Sequence, residues 1–238
     1  MPAAAKPKAV TAKTPARTPA RKRLNPAEKA RIAEIFARFE GAEDEPRTEL
    51  QYHDPFTLVV AVALSAQATD KSVNKATERL FRDAPDPAAM AALGVGGLEP
   101  YIKTIGLYRT KARNVVALSN ILLNQYGGQV PLSREALQAL PGVGRKTASV
   151  VLNELGVEPA IAVDTHVFRV AHRLKLALGS TPEKVEQQLM QVIPEPYLTR
   201  AHHWLILHGR YICVARKPKC FECRVADLCP SRSLFMGA

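Results

Sequence analysis

Apolar residues recur three and four positions apart along most of this chain, which is the period of an amphipathic α-helix. The first such segment spans residues 26–40, where Asn25-Pro26 supplies an N-cap followed by a proline at the first helical position. Its predicted inner face consists of Ile32, Ile35, Phe36 and Phe39. Strand patterns flanked by hairpin dipeptides are scarce, and no clear repeat occurs, so the sequence predicts an all-α fold.

Capping residues and prolines place the other predicted helices. Residues 41–54 are polar and predict a loop, after which Asp54-Pro55 begins a helix that runs through Gln67. Asp70 is predicted to cap the next helix. Four further helices are predicted over Leu98–Ile105, Lys111–Tyr126, Ser133–Leu140 and Arg145–Leu155, and others begin at Asp86-Pro87, Asp164, Thr181 and Pro194.

Composition limits the classes of protein to which the chain can belong. Hydrophobic residues make up 47% of the 238 positions, which is enough for one large domain or two modest ones. The longest mainly apolar run, Phe56 to Ala66, is too short to span a bilayer, so we expect a soluble, cytoplasmic protein without membrane association. The formal net charge of +11 indicates a polyanionic partner.

Much of the positive charge lies in residues 1–25, which form a basic tail. This segment is mostly Ala, Pro, Thr and Lys, and cannot bury enough apolar surface to fold. We expect a disordered arm that adds phosphate contacts. An organellar transit peptide is the alternative, but five prolines in the first 26 residues and the lack of an amphipathic pattern argue against it.

Four cysteines occur in the chain, and all lie near its C-terminus with the spacing C-x6-C-x2-C-x5-C. Four thiolates this close can surround one metal centre, whereas disulfides are rare in the reducing cytosol. Both zinc and an iron–sulfur cubane are held by four cysteines, so the spacing alone leaves the metal open. The four residues are Cys213, Cys220, Cys223 and Cys229.

Residues 133–155 carry the most specific motif of the chain. Two short predicted helices flank Leu140-Pro141-Gly142-Val143-Gly144. Glycines at alternate positions allow a tight reversal and expose backbone N–H groups at the start of the second helix, where a DNA phosphate fits. The basic pair Arg145-Lys146 follows at once, which makes this signal more specific than a bare Gly-x-Gly turn.

The hairpin with its lysine, the segment 163–169 and the cysteine array together resemble the endonuclease III family of helix-hairpin-helix DNA glycosylases. The resemblance runs from about residue 27 to 230 and includes segments 64–70 and 105–108. It implies a [4Fe-4S] cluster on the four cysteines. It also implies two helical domains: a central six-helix domain over 48–158, and a cluster-containing domain formed by 26–47 plus 159–238.

The resemblance further implies a bifunctional DNA glycosylase and abasic-site lyase that removes oxidised pyrimidines in base excision repair. Lys146 and Asp164 are expected on opposite walls of a groove between the domains. Lys146 would attack deoxyribose C1′ and form a Schiff base. Free lysine has a pKa of about 10.4, so the dipole of its helix and burial in the groove are expected to favour the neutral amine.

Asp164 is expected to accept the lysine proton or to stabilise the cationic sugar as the base departs. It also precedes a predicted helix and is expected to serve as its N-cap. His166, two residues later, is interpreted as structural rather than catalytic. Loss of a C2′ proton from the iminium would then permit β-elimination and strand cleavage.

Chemistry on a base requires that the base be flipped out of the stack, and the expected partner is double-stranded DNA with damaged bases or abasic sites. The family pattern implies a wedge that fills the gap. We also expect a monomeric, nucleoid-associated protein that contacts the DNA backbone through the hairpin and through the cationic loop between the first two cysteines. The wedge residues would be Gln67, Ile105 and Leu107, and the backbone contacts Gly142, Gly144, Arg145, Arg216, Lys217 and Lys219.

Other interpretations of the sequence remain open. A related adenine glycosylase lacks the lysine and carries a further C-terminal domain, so Lys146 and the nine residues after Cys229 argue against it. A pyrimidine-dimer glycosylase of similar architecture is harder to exclude. A non-catalytic DNA-binding module with a structural metal is the alternative from another class. Ser149, where many relatives have asparagine, is expected to face either the helix interior or the groove.

Overall fold

The fold is described from a computed structural model covering residues 24–43 and 46–236. Most of the predicted basic tail, residues 1–25, lies outside these described residues. The described residues form helices and connecting turns with no strand, which confirms the all-α prediction. None of the described helices is both long and apolar enough to cross a lipid bilayer.

Eleven α-helices and one 3-10 helix occur in the described part of the chain. The 3-10 helix, Glu195–Tyr197, lies between the ninth and tenth α-helices. In chain order the α-helices are α1 Pro26–Glu40, α2 Pro55–Ser65, α3 Asp70–Asp83, α4 Pro87–Ile102, α5 Tyr108–Tyr126, α6 Arg134–Gln138, α7 Arg145–Glu154, α8 Thr165–Arg173, α9 Pro182–Val192, α10 Leu198–Tyr211 and α11 Ser233–Met236.

Most predicted helix starts agree with the structure, because side-chain caps are local chemistry. Asn25 accepts a hydrogen bond from the Glu28 N–H, and Asp54 forms a reciprocal capping box with Thr57. The predicted cap of α3 was wrong. Thr69, not Asp70, has the extended backbone and accepts from the Ser72 N–H, while Asp70 is already helical.

Several predicted helix boundaries were also wrong, for reasons of backbone geometry. Helix α2 ends at Ser65, because Ala66 leaves the helical region with a ψ of 117°, and Gln67 then follows with a positive φ of 56°. The two helices predicted around residues 87 and 98 are joined in α4 across a kink at Gly94 and end at Ile102. Helix α5 begins three residues earlier than predicted, at Tyr108, and the short helix α11 had not been predicted.

The buried hydrophobic residues form two separate clusters. The first core is built from residues between Leu50 and Leu152, and therefore includes α2 to α7. The second core combines the inner face of α1 with residues between Ile161 and Val225, so the N-terminal helix packs against the C-terminal part of the chain. Helices α7 and α8 consequently belong to different cores although only ten residues separate them.

Candidate active-site groove and cysteine cavity

A cavity of about 540 Å³ is lined by residues from both cores, and we call it the central groove. Its lining comes from α7, the start of α8, one face of α10 and the segment from the end of α2 to the start of α3. The groove therefore lies where side chains from the two cores meet. Its lining includes Gln67, Lys146, Asp164, His166, His202 and Arg210.

The hairpin between α6 and α7 depends on one glycine more than on the other. Gly142 has a φ of +79°, and a Cβ there would lie 3.0 Å from the Cβ of Asn114. Gly144 has an ordinary φ of −85° with no obstruction, so the tight reversal does not require it. As the N-cap of α7, Gly144 leaves the first-turn N–H groups without a side-chain acceptor.

Lys146 is the second residue of α7 and lines the central groove. Its side chain is exposed, so protein residues do not supply the burial that we expected around its amine. Lys146 does lie in the first turn of α7, beside the N–H groups that have no side-chain acceptor.

Asp164 also lines the central groove, as the N-cap of α8. Its Oδ1 accepts hydrogen bonds from the backbone N–H groups of His166 and Val167, both at 2.8 Å. These two bonds fix the direction of the carboxylate. Among the described residues none donates to Oδ2, so this oxygen is available to a group in the groove.

His166 lies at the closest approach of α8 and α10. A Cβ on Gly209 would come within 2.8 Å of the His166 Cβ, so only glycine fits at this crossing. The His166 Nδ1 also lies 3.3 Å from Nη2 of Arg169, which donates a second hydrogen bond to the Gly209 carbonyl. These contacts support the interpretation of His166 as a structural residue, although it borders the groove.

Sequence reasoning missed two adjacent histidines on α10. His202 lines the groove and is only 4% exposed, and burial together with nearby positive groups lowers its pKa to about 3. His203 instead points to Glu154, with Nε2 3.1 Å from Oε2, while the Tyr52 hydroxyl donates to Oε1. The available sequence signal was a His-His pair on a buried apolar helix, which does not distinguish these environments.

Arg210 is a second groove residue that the sequence analysis did not select. Its guanidinium donates to Asp70 at 2.7 Å and is also hydrogen-bonded to Glu49. Arg210 belongs to α10 and Asp70 to α3, so this ion pair joins the second core to the first beside the groove.

Two of the three predicted wedge residues lie at the surface. Gln67 is exposed with a φ of 56°, and Leu107 is 61% exposed with a φ of 62°. Their loops adjoin, since a Cβ on Gly106 would lie 3.8 Å from the Gln67 carbonyl oxygen. Ile105 is only 2% exposed within the first core, so its side chain does not reach the surface as we had expected.

Arg145 and Ser149 both make contacts that the sequence did not reveal. Arg145 donates to Glu186 of α9 from Nη2 at 2.9 Å and from Nε at 3.2 Å. Ser149 is buried and accepts a hydrogen bond of 2.6 Å from Arg134. Of the two orientations expected for Ser149, the structure therefore shows the one that faces the helix interior.

The four cysteines line one common cavity, whose wall also includes Arg173 and His208. Arg173 Nη1 lies 3.3 Å from the Cys213 sulfur, and His208 Nε2 lies 3.8 Å from the Cys223 sulfur. Burial raises the pKa of the Cys223 thiol to about 11, and a bound metal cation would favour its thiolate form. Within residues 24–43 and 46–236, no three His, Cys, Asp or Glu side chains converge as ligands of a single ion.

The donor set of this cavity fits an iron–sulfur group held by four thiolates. The loop between the first two cysteines is itself firmly held. Arg173 donates to the Val214 and Ala215 carbonyls at 2.8 and 2.7 Å, and the Lys219 N–H donates to the Ile212 carbonyl at 2.9 Å. The loop presents the exposed side chains of Arg216, Lys217 and Lys219, of which Lys219 lies 3.7 Å from Glu222.

Comparison with known proteins gives matches over most of the chain. Residues 60–195 match the HhH-GPD superfamily of base excision DNA repair proteins. Endonuclease III of Escherichia coli strain K12 is 55% identical over 201 residues, which cover 84% of this chain and 95% of that protein. Endonuclease III of Rickettsia conorii is 56% identical over 198 residues, covering 83% of this chain and 94% of its own.

Solved structures give the same result. A trapped endonuclease III–DNA covalent intermediate in an estranged-adenine complex matches with a TM-score of 0.81 and 42% identity, covering 88% of this chain and 99% of that chain. A non-covalent endonuclease III–DNA complex matches with a TM-score of 0.80 and 42% identity over 86% of this chain and 96% of that chain. The predicted resemblance is confirmed, and the chain belongs to the endonuclease III family of DNA glycosylases, within the HhH-GPD superfamily of base excision repair proteins.

Proposed function

We propose that this protein is a bifunctional DNA glycosylase and abasic-site lyase that removes oxidised pyrimidines through a Schiff base on Lys146, assisted by Asp164. One observation carries the proposal. Lys146 and Asp164 line the same groove from the N-terminal ends of α7 and α8, two helices that belong to different cores. A nucleophile and a carboxylate in one groove are what a displacement at a sugar carbon needs.

The proposed reaction begins with attack of the neutral Lys146 amine on C1′ of the damaged nucleotide. The bond from C1′ to the base breaks, and the base departs with its electron pair and is then protonated. Asp164 accepts the proton that Nζ loses, using the oxygen that does not cap α8. Ring opening at C1′ leaves the lysine as an iminium.

The iminium makes the C2′ protons acidic. Loss of one of these protons places its electrons between C2′ and C3′, and the 3′ phosphate departs from C3′. Water then hydrolyses the remaining imine and releases Lys146. Glycosylase and lyase activities thus share one covalent intermediate.

Lys146 attacks as the neutral amine, so its extra proton must leave before the bond to C1′ forms. In the described part of the chain no side chain caps α7, so the first-turn N–H groups beside Lys146 remain available to a DNA phosphate. A bound duplex would cover the exposed Lys146 side chain.

The proposed partner is double-stranded DNA with a damaged or missing base, bound by a monomer in the cytoplasm at the nucleoid. Gln67 and Leu107 would fill the space of the flipped base. The α7 N-terminus around Gly142 and Gly144 would bind a phosphate, with Arg145 beside it. Further phosphate contacts would come from Arg216, Lys217 and Lys219.

We also propose a [4Fe-4S] cluster on Cys213, Cys220, Cys223 and Cys229. When bound, such a cluster would cross-link the loop from both ends and hold its basic side chains in place. The two hydrophobic cores support the division into domains 48–158 and 26–47 plus 159–238. Visible absorption of the purified protein tests the cluster, because iron–sulfur clusters absorb visible light whereas zinc sites do not.

Borohydride trapping on duplex DNA with an abasic site tests the covalent chemistry. We expect the wild-type protein to form a cross-linked product and Lys146→Ala to form none, while DNA affinity changes little. Lys103→Ala is the control, since this lysine is exposed outside the groove lining and should leave trapping unchanged. An undiminished adduct with Lys146→Ala would remove this residue from the mechanism.

A further inference from the structure

A buried lysine lies next to the wedge loops and has no assigned role. Lys111, in the first turn of α5, is 7% exposed, and its Nζ is sealed from solvent. No described group accepts a hydrogen bond from this Nζ, and no described carboxylate pairs with it. Burial also lowers the pKa of the amine. A buried ammonium without a partner destabilises the free protein, so its presence calls for an explanation.

The surroundings of Lys111 form a distinct cavity of about 150 Å³, several times the space that one water molecule needs. We call it the Lys111 cavity. Gln67 lines both this cavity and the central groove, so the two adjoin. Leu107 and Gly142 lie on its other sides, which places it between the wedge loops and the hairpin.

The lining of the Lys111 cavity has the polar groups of an anion site. Besides the ammonium, it contains the side-chain amides of Gln67 and Asn114 and the hydroxyl of Thr110. The Thr110 oxygen accepts from Arg113, which leaves its own proton free to donate. No carboxylate is among the lining residues described. One cation and several donors without an acid favour an anionic ligand.

We propose that the Lys111 cavity receives a phosphodiester of the bound duplex and that Lys111 is a phosphate contact. Only the identity of the polyanion rests on the proposed function. The four rotatable bonds of a lysine allow Nζ to turn from its sealed position into the cavity. The phosphate would supply the partner that the ammonium lacks, so the free protein carries an instability that DNA binding relieves.

This proposal predicts effects of opposite sign for one substitution. Lys111→Met keeps the length of the side chain and removes the charge. We expect the Tm of the free protein to rise by about 2–4 °C, because an unpaired buried charge is gone. We expect the Kd for a duplex with an uncleavable abasic analogue to rise about ten-fold, since a charge-assisted contact is lost. The slope of log K against log salt should shrink by about 0.9, the value of one phosphate.

Lys103→Met is the matched control, because it removes one exposed positive charge at the end of α4, outside the cavity. It should leave the Tm unchanged and set the background loss of affinity. Lys111→Gln serves the same purpose as Lys111→Met if the methionine variant does not fold. Both measurements use the full-length protein with its cofactor, and neither requires catalysis, so a failure of borohydride trapping would be a separate result.

Three results would overturn the proposal. A fall in Tm would show that Lys111 has a partner within the protein. An unchanged affinity and salt slope would show that the ammonium meets only water. A loss of affinity that varied with the base opposite the abasic analogue, at an unchanged salt slope, would assign Lys111 to a base instead of a phosphate.

Discussion

Two helices begin at the central groove, and their first turns are built in opposite ways. Helix α8 starts at Asp164, whose carboxylate accepts two backbone N–H groups at 2.8 Å. Helix α7 starts at Gly144, which has no side chain and makes no cap. The first-turn N–H groups of α8 therefore bind a carboxylate of the protein itself, whereas those of α7 remain available to an external anion.

This difference suits the two proposed roles. A carboxylate that is fixed by its own helix keeps one oxygen directed at a defined place, so it can take a proton without first reorganising. An open terminus can bind a phosphate, and it does so next to Lys146 in the same turn. Each helix start thus combines a structural task with a chemical one, and substitutions can separate the two tasks.

Asp164→Asn gives the largest expected effect, and it separates the helix-capping role of this residue from the role of its negative charge. Asparagine caps helices about as well as aspartate, so thermal stability should change by no more than a few tenths of a kcal/mol. Base excision should fall by about 10²- to 10⁴-fold, because the proton acceptor is lost. Single-turnover excision on a one-lesion duplex measures the rate, and the melting temperature measures the fold.

Asp164→Ala is the companion variant, and it should lose about 1 kcal/mol of stability as well as activity. If Asp164→Asn excised bases at the wild-type rate, the carboxylate would be a cap only. If both variants lost equal stability, the two hydrogen bonds of Oδ1 would not be the source of the capping energy.

Gly142→Ala and Gly144→Ala form a matched pair on the α7 side. Alanine at 142 must adopt a positive φ and approach Asn114 to 3.0 Å, so the unfolding free energy should fall by about 1–3 kcal/mol. Alanine at 144 meets no obstruction and should lose roughly 0.5–1 kcal/mol through weaker N-capping. Thermal unfolding of both variants measures the difference, and equal losses would contradict the assignment of the turn to Gly142.

The same comparison shows what could be predicted from sequence. Caps such as Asp164 and Ser133 were identified because the cap and the N–H groups it binds are within three residues of each other. The prediction that Lys146 and Asp164 share one site came from a family resemblance, since their position in a common groove depends on how the two cores pack. The local sequence pattern alone predicts the helices but not the groove.

The failures have a common physical cause. The burial of Ile105, the unpartnered Lys111 and the contrast between His202 and His203 all depend on tertiary neighbours far away in sequence. The end of α2 was missed because Ala66 leaves the helical region and Gln67, a non-glycine residue, adopts a positive φ, and neither change has a sequence signal. Backbone strain of this kind concentrates at functional sites, where local rules are least reliable.

Leu107 extends the comparison to a third helix start, which is uncapped like α7 but strained. Leu107 precedes α5 with a φ of 62° and no side-chain cap. Leu107→Gly should raise the unfolding free energy by about 1 kcal/mol, because glycine adopts this conformation freely. Excision from duplex DNA should nevertheless fall, since the proposed wedge is gone.

Lys175→Gly is the control for strain, because Lys175 is exposed with a φ of 55° and lies outside the groove lining. It should gain similar stability and excise bases at the wild-type rate. A Leu107→Gly variant that kept full activity on duplex DNA would show that Leu107 is not a wedge.

Glu186→Gln gives the smallest effect, and it tests whether Glu186 limits the access of a phosphate to the start of α7. Glu186 holds Arg145, the first residue of α7, at 2.9 Å, and so competes with any phosphate for that guanidinium. Partly exposed ion pairs contribute about 0.2–1 kcal/mol, so stability should change little, while DNA affinity should rise by roughly two- to five-fold. Glu183→Gln is the control from the same helix: Glu183 acts on Arg145 through its charge, but among the described ion pairs only Glu186 contacts the guanidinium, so an equal gain in that variant would mean that the charge near Arg145 matters and the direct contact does not. A gain confined to Glu186→Gln would show that Arg145 is released to the DNA, and that Glu186 competes with the phosphate for this guanidinium beside the start of α7.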